Sequence, residues 1–255
     1  MDLNRGKQQP VYYLVVAWIV ALAVMNSVGT LFERLRFSIT ISALLEEVTV
    51  LLALWLLNHY WLKVHIQWRT DLPFSAQLRV NAFSLFLVVF LLAALETQLA
   101  HGKSVKHVLV MAVVALLVAI FEESLFRGIL LVGFLQRLGR GNSVWLAVLL
   151  SSTLFAVSHL INLSHQSVSL TISQVLMAFG FGLLQSATYL RSGSLIWPIL
   201  LHFTFDTQVL ARSGLISKGN IPAWSGLIPL VIYGTVALIL LRRSKRAEVV
   251  ERFRI

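Results

Sequence analysis

Residues 108–135 read VLVMAVVALLVAIFEESLFRGILLVGFL, an apolar run whose charged members are Glu122, Glu123 and Arg127. About 20 consecutive apolar residues suffice to cross the hydrocarbon layer, so the run predicts a membrane-spanning helix. An ionisable side chain near the bilayer centre costs at least about 2.5 to 3.5 kcal/mol on insertion scales. Three of them within six residues predict a buried functional site rather than idle charge.

The rest of the chain has the same character. Of 255 residues, 58% are hydrophobic and 13% charged, and mean hydropathy is +0.82; soluble domains carry about 25% charged residues. Apolar stretches at 11–32, 38–62, 81–100, 107–136, 142–163, 168–190, 194–211 and 222–241 predict an all-α, polytopic membrane bundle of about eight transmembrane helices. Val11 to Phe32 is long enough to span and shows no small-residue cleavage site behind a short apolar core. The first span is therefore expected to stay as an anchor. The absence of cysteine excludes disulfides, thiolate metal sites and a cysteine nucleophile.

A net charge of +10 could suggest nucleic acid, but the basic residues lie between and after the spans, the distribution that orients a membrane protein. With eight spans, the side bearing both termini holds fourteen: Arg5, Lys7, Lys63, Arg69, Arg79, Arg137, Arg140, Arg191, Arg242, Arg243, Lys245, Arg246, Arg252 and Arg254. The opposite side holds six: Arg34, Arg36, Lys103, Lys106, Arg212 and Lys218. This predicts cytoplasmic termini in the plasma membrane, contact with membrane lipid and no nucleic-acid partner. The tail from Arg242 to Arg254 is expected to lie against anionic headgroups. The longest connection, Lys63 to Arg79, contains Trp68, Asp71 and Pro73 and reads as an interfacial loop.

Helical spacing divides the charged residues by task. Glu123 and Arg127 are four apart, so they share a helix face and can pair, each relieving the other's desolvation. Glu122 is turned about 100° away and is left as the free acid or base. His159 follows Phe155 by one turn, close enough for the ring to pack against or orient the imidazole. His202 and Asp206, again four apart, can point together into the bundle. Taken singly, each reads as an interhelical hydrogen bond. Converged, they would make a Glu, His, His, Asp cluster, either a water-activating hydrolytic site or a divalent metal site.

In this order and within hydrophobic segments, Glu122-Glu123-x-x-x-Arg127-Gly128, Phe155-x-x-x-His159 and His202-x-x-x-Asp206 resemble the motifs of the CPBP family of intramembrane proteases. That family includes type II CAAX prenyl endopeptidases and bacteriocin-processing or bacteriocin-immunity (Abi-like) proteins. Tyr189-Leu190-Arg191-Ser192-Gly193-Ser194-Leu195 is similar to the turn before the family's last motif. The resemblance implies a protease core at 107–212, preceded by N-terminal helices at 1–106 that lie outside it. A last helix with a basic tail follows at 213–255. It further implies that Glu122 and His159 bind and activate water, that His202 and Asp206 orient the substrate or stabilise the oxyanion, and that Glu123, Arg127 and Phe155 support the site. The partner would be a peptide in or near the membrane, prenylated or of leader type.

A metal is not demanded, because the histidines lack His-Glu-x-x-His spacing, although Glu122, His159 and His202 could supply ligands for an ion such as zinc. Glu46 and Glu47, adjacent carboxylates in the second span, could extend the polar cavity, bind substrate or make an interhelical hydrogen bond. A transporter would be expected to show two similar halves, which the chain lacks. A non-catalytic scaffold or immunity protein would be expected to have lost cluster residues, all of which are chemically competent here.

Overall fold

The structure, a computed structural model, describes residues 10–138, 143–215 and 221–253; Arg5, Lys7, Arg140, Lys218 and Arg254, used above for orientation, lie outside them. Every regular element among the described residues is helical. Helices α1 (Tyr12–Arg34) and α2 (Ile39–Leu57) form a hairpin, with the Ser38 hydroxyl accepting a hydrogen bond from the Ile41 amide to cap α2. A wide turn at Asn58–Leu62 then ends at Lys63, whose left-handed backbone (φ 53°) stops the helix. Next come the short α3 (Phe74–Val80) and α4 (Ala82–Ala100). Helix α5 (Val105–Glu123) runs through a π-helical stretch, Ser124–Leu131, into α6 (Val132–Leu138). Helix α7 (Ser143–Ser158) tightens into a 3₁₀ turn at His159–Ser164. The bundle closes with α8 (Val168–Ser192), α9 (Ile196–Ser213), α10 (Leu227–Leu240) and α11 (Arg243–Phe253).

Among the described residues seven helices are long and apolar enough to cross a membrane: Tyr12–Phe32, Ile39–Leu62, Ala82–Ala100, Val105–Leu138, Ser143–Ser164, Val168–Ser192 and Ala223–Leu240. The polytopic helical bundle expected from the sequence is thus present. The remaining expected span, 194–211, is α9, which has 18 residues but is more polar because it carries His202, Thr204, Asp206, Thr207 and Gln208. It packs against α4, α5 and α8. Around it the core is dense: Leu125, Ile129, Leu130 and Leu131 of the π-helical stretch are fully buried. Helices α8 and α10 approach so closely that a Cβ on Gly180 would lie 2.6 Å from Leu230 Cα. Such contact favours small residues where van der Waals packing drives association.

The connection after Lys63 is irregular as far as Pro73, with α3 filling the rest of the expected loop, and its backbone is tied to the bundle. The Gln67 amide donates to the Tyr189 hydroxyl (3.0 Å), the Leu195 amide to the Gln67 carbonyl (3.1 Å), and the Ser194 hydroxyl to the Trp68 carbonyl (2.8 Å). Helix α11 seats beside it: Val249 is fully buried, and Arg252 Nη1 donates to the carbonyls of Leu190 (3.0 Å) and Arg191 (2.5 Å).

Lys245 and Arg191 hydrogen-bond the Glu248 carboxyl and hold its pKa at about 2. A carboxyl depressed on folding stabilises α11 docking above the unfolded value of about 4.3, and that contribution fades as pH falls toward 2. The carboxylate is 41% exposed, so solvent screens the pair. Hydrogen-exchange protection of residues 243–253 is expected to drop by up to about fivefold between pH 6 and pH 3, the size an exposed pair permits. Glu248→Gln should show that lower protection already at pH 6; equal protection in the two proteins at both pH values would contradict this.

Candidate active site

The acidic end of α5 meets α9 across the bundle. Glu123 and Arg127 are both fully buried and pair at 3.0 Å (Oε1 to Nη1), as their spacing predicts. The same Glu123 Oε1 lies 2.7 Å from His202 Nδ1. A carboxylate oxygen can only accept, so Nδ1 carries the hydrogen of that contact. His202 Nε2 then stands between two further carboxylates, 3.5 Å from Glu122 Oε2 and 3.4 Å from Asp206 Oδ2. Among the described residues Glu122 makes no ion pair with Arg127; it meets the other ring nitrogen of the same imidazole.

Phe155 is the hub of the aromatic support. The Arg127 guanidinium lies 4.4 Å from its ring centroid, a cation–π contact. Arg127 Nε and Nη2 make no hydrogen bond with the described residues, so the ring face supplies part of the compensation for this buried charge. The ring meets Phe126 edge-on at 5.1 Å, His159 at 5.0 Å and His202 at 6.0 Å. His159 Nδ1 is 2.9 Å from the Phe155 carbonyl, which again can only accept. This fixes the hydrogen on Nδ1 and leaves Nε2 as the basic nitrogen.

Glu122, His159, His202 and Asp206 all line one cavity of about 910 Å³. Among the described residues no hydrogen bond or ion pair joins Glu122 to His159; Glu122 touches His202 instead. Glu46 and Glu47 line the same cavity, so α2 contributes carboxylates to its wall. Glu47 Oε2 is buried and makes no hydrogen bond with the described residues. Gly29 of α1 leaves room for Glu46: a Cβ there would lie 2.9 Å from its Oε2.

Sequence reasoning missed several supporting residues. Phe181 of α8 packs on His202 at 5.3 Å, Ser151 donates to the Phe126 carbonyl at 2.7 Å, and Trp18 donates to the Ser158 hydroxyl at 2.9 Å. These are contacts between distant helices, and no spacing in the chain signals them. Gln185 of α8 is buried and donates to the Pro198 carbonyl at 2.7 Å.

Glu122, His159 and His202, the residues that could supply metal ligands, all line this cavity. Among the described residues no group of three or more His, Cys, Asp or Glu side chains is arranged to hold a metal ion. His202 Nδ1 donates to Glu123, and Nε2 is shared between the carboxylates of Glu122 and Asp206. The arrangement is suited to proton transfer and to donating hydrogen bonds into the cavity.

A family model described as type II CAAX prenyl endopeptidase Rce1-like matches residues 104–208, a stretch that contains Glu122, Glu123, Arg127, Phe155, His159, His202 and Asp206. An uncharacterised 24.3 kDa protein of Escherichia coli is 33% identical over 161 residues, covering 56% of this chain and 70% of the relative. No solved structure matches the chain.

Proposed function

Because the chain belongs to the Rce1-like type II CAAX prenyl endopeptidases, a family of intramembrane proteases, we propose that it hydrolyses a peptide bond of a membrane-associated peptide by carboxylate-activated water. The observation that carries this reading is the convergence of Glu122, His159, His202 and Asp206 on one cavity, with Glu122 not engaged by Arg127. Water held between Glu122 and the free Nε2 of His159 gives a proton to Glu122 as its oxygen bonds to the scissile carbonyl carbon. His202, held through Nδ1 by Glu123, donates from Nε2, beside Asp206, toward the resulting oxyanion. Protonated Glu122 then passes its proton to the departing amine as the C–N bond breaks, so that one water is consumed per bond. Glu123 and Arg127 touch neither water nor substrate; they fix the His202 ring. The partners are membrane lipid and the peptide substrate. The excess of Lys and Arg on the side that bears the termini supports a cytoplasmic position for them, and the plasma membrane is the proposed location.

The test compares the protein termini of membranes containing the wild-type chain with those containing Glu122→Gln. New termini close to membrane segments, present only with the wild type, are expected. Identical sets of termini would overturn the protease reading and leave a non-catalytic membrane protein.

A further inference from the structure

Helix α2 turns one stripe toward the catalytic cavity: Ile39, Ser42, Ala43, Glu46 and Glu47. Residues at i, i+3, i+4, i+7 and i+8 share a helix face, and in a packed helix that face is apolar and meets a core. Here three of the five are polar, and the face meets a hollow.

Two of these polar groups lack partners. Ser42 is 7% exposed, yet its hydroxyl makes no hydrogen bond with the described residues, and neither does the buried Oε2 of Glu47. A helical serine or threonine commonly donates to the carbonyl four residues back. Thr49 of the same helix does so, to the Leu45 carbonyl at 2.7 Å, whereas the Ser42 hydroxyl is left toward the cavity. Buried polar atoms without partners are unfavourable, so this wall is short of hydrogen-bond donors.

The charge balance gives the kind of donor. The chain has 21 Lys and Arg against 11 Asp and Glu, but four of those acids, Glu46, Glu47, Glu122 and Asp206, line this one cavity. Among the described residues no Lys or Arg lines it. Of its histidines, His159 acts with a free Nε2, which leaves His202 and His165 to face four carboxylates. Carboxylates taken out of water need a cation beside them to stay charged. An ammonium brings three N–H donors and a guanidinium five, and neither brings an acceptor. Either one supplies both the charge and the donors that the α2 stripe lacks.

We infer that Glu47, with Glu46 and the Ser42 hydroxyl, selects a peptide carrying a Lys or Arg side chain beside the scissile bond. The inference rests on the protease reading for the bond that is cut. Glu122 and His159 stay with the water, and selection falls to a different helix of the same cavity wall.

The test uses the full chain in neutral phosphatidylcholine vesicles, where no anionic headgroup gathers basic peptides. The probes are acylated peptides that differ in a single residue, Lys or its uncharged counterpart norleucine, placed in turn at each position flanking the cut. At the best position the Lys peptide is expected to show kcat/KM at least about tenfold above its norleucine counterpart, the factor that one charged hydrogen bond provides. Glu47→Gln should bring that ratio below about threefold, and Glu47→Asp, which keeps the charge, should retain it. The ratio is taken within one protein, so any loss of folded enzyme cancels from it. A wild-type ratio near one at every position would overturn the inference, as would a Lys preference that Glu47→Gln leaves intact. If no peptide is cleaved, the protease reading fails; the affinities of the Lys and norleucine peptides for the same protein then decide, and equal affinities overturn the inference.

Discussion

Glu122→Gln is expected to lower the rate of peptide cleavage by about 10² to 10⁴-fold, the range that a positioned acid or base contributes. The amide is nearly isosteric and keeps a polar contact with His202 Nε2, 3.5 Å away, but it cannot take a proton from water. The side chain is 22% exposed to the cavity, so the substitution leaves no buried charge unpaired. Melting temperature in detergent should therefore stay within a few degrees of wild type. His159→Ala is expected to give a loss of the same order. If the two hold one water between them, the double variant falls little below the worse single one, because groups that act as a unit are non-additive. Losses that multiply would show that they act in separate steps. A raised KM with an unchanged kcat for Glu122→Gln would reassign that residue to substrate binding.

The second large effect separates stability from chemistry. Arg127→Ala alone strands Glu123 as a buried charge, and such a break costs about 3 to 5 kcal/mol. Glu123→Ala strands Arg127 in the same way and also removes the acceptor that holds His202 Nδ1 at 2.7 Å. Replacing both, as Glu123→Leu with Arg127→Met, removes the charges together, and paired apolar replacement of a buried ion pair is often neutral or stabilising. The double variant is thus expected to recover most of the thermal stability lost by either single one. Cleavage should not recover, because the His202 ring has lost its anchor. Thermal unfolding in detergent, run beside a cleavage assay on the same samples, checks both parts. Recovery of activity along with stability would show that the pair serves the fold alone.

What the chain discloses by itself depends on how local the physics is. Span positions were legible because crossing a bilayer requires a long apolar run, and Glu123 with Arg127 was legible because one helical turn brings them together. Nothing in the spacing announces that Glu123 also holds His202, a contact across 79 residues of chain. Glu122 and His159, which the resemblance assigns to one water, line the same cavity. The apolarity that finds a span also undercounts α9, whose polar residues are those of the site. The 63–73 segment is the loop its sequence indicates, but its ties to the bundle go to backbone and hydroxyl groups, which leave no mark in side-chain periodicity.

The π-helical stretch from Ser124 to Leu131 has a consequence for how the long helix is read. A turn closed from residue i to i+5 takes up one residue more than an α turn, and each residue of an α-helix accounts for about 100° of rotation. The segments on either side are therefore out of phase. A stripe drawn along α5 through Val114 and Phe121 does not continue as the same stripe along α6. Neighbours that cover one side of the helix before Glu123 meet another side after Leu131, which fits a chain half exposed at its outer end and enclosed all round at Phe134.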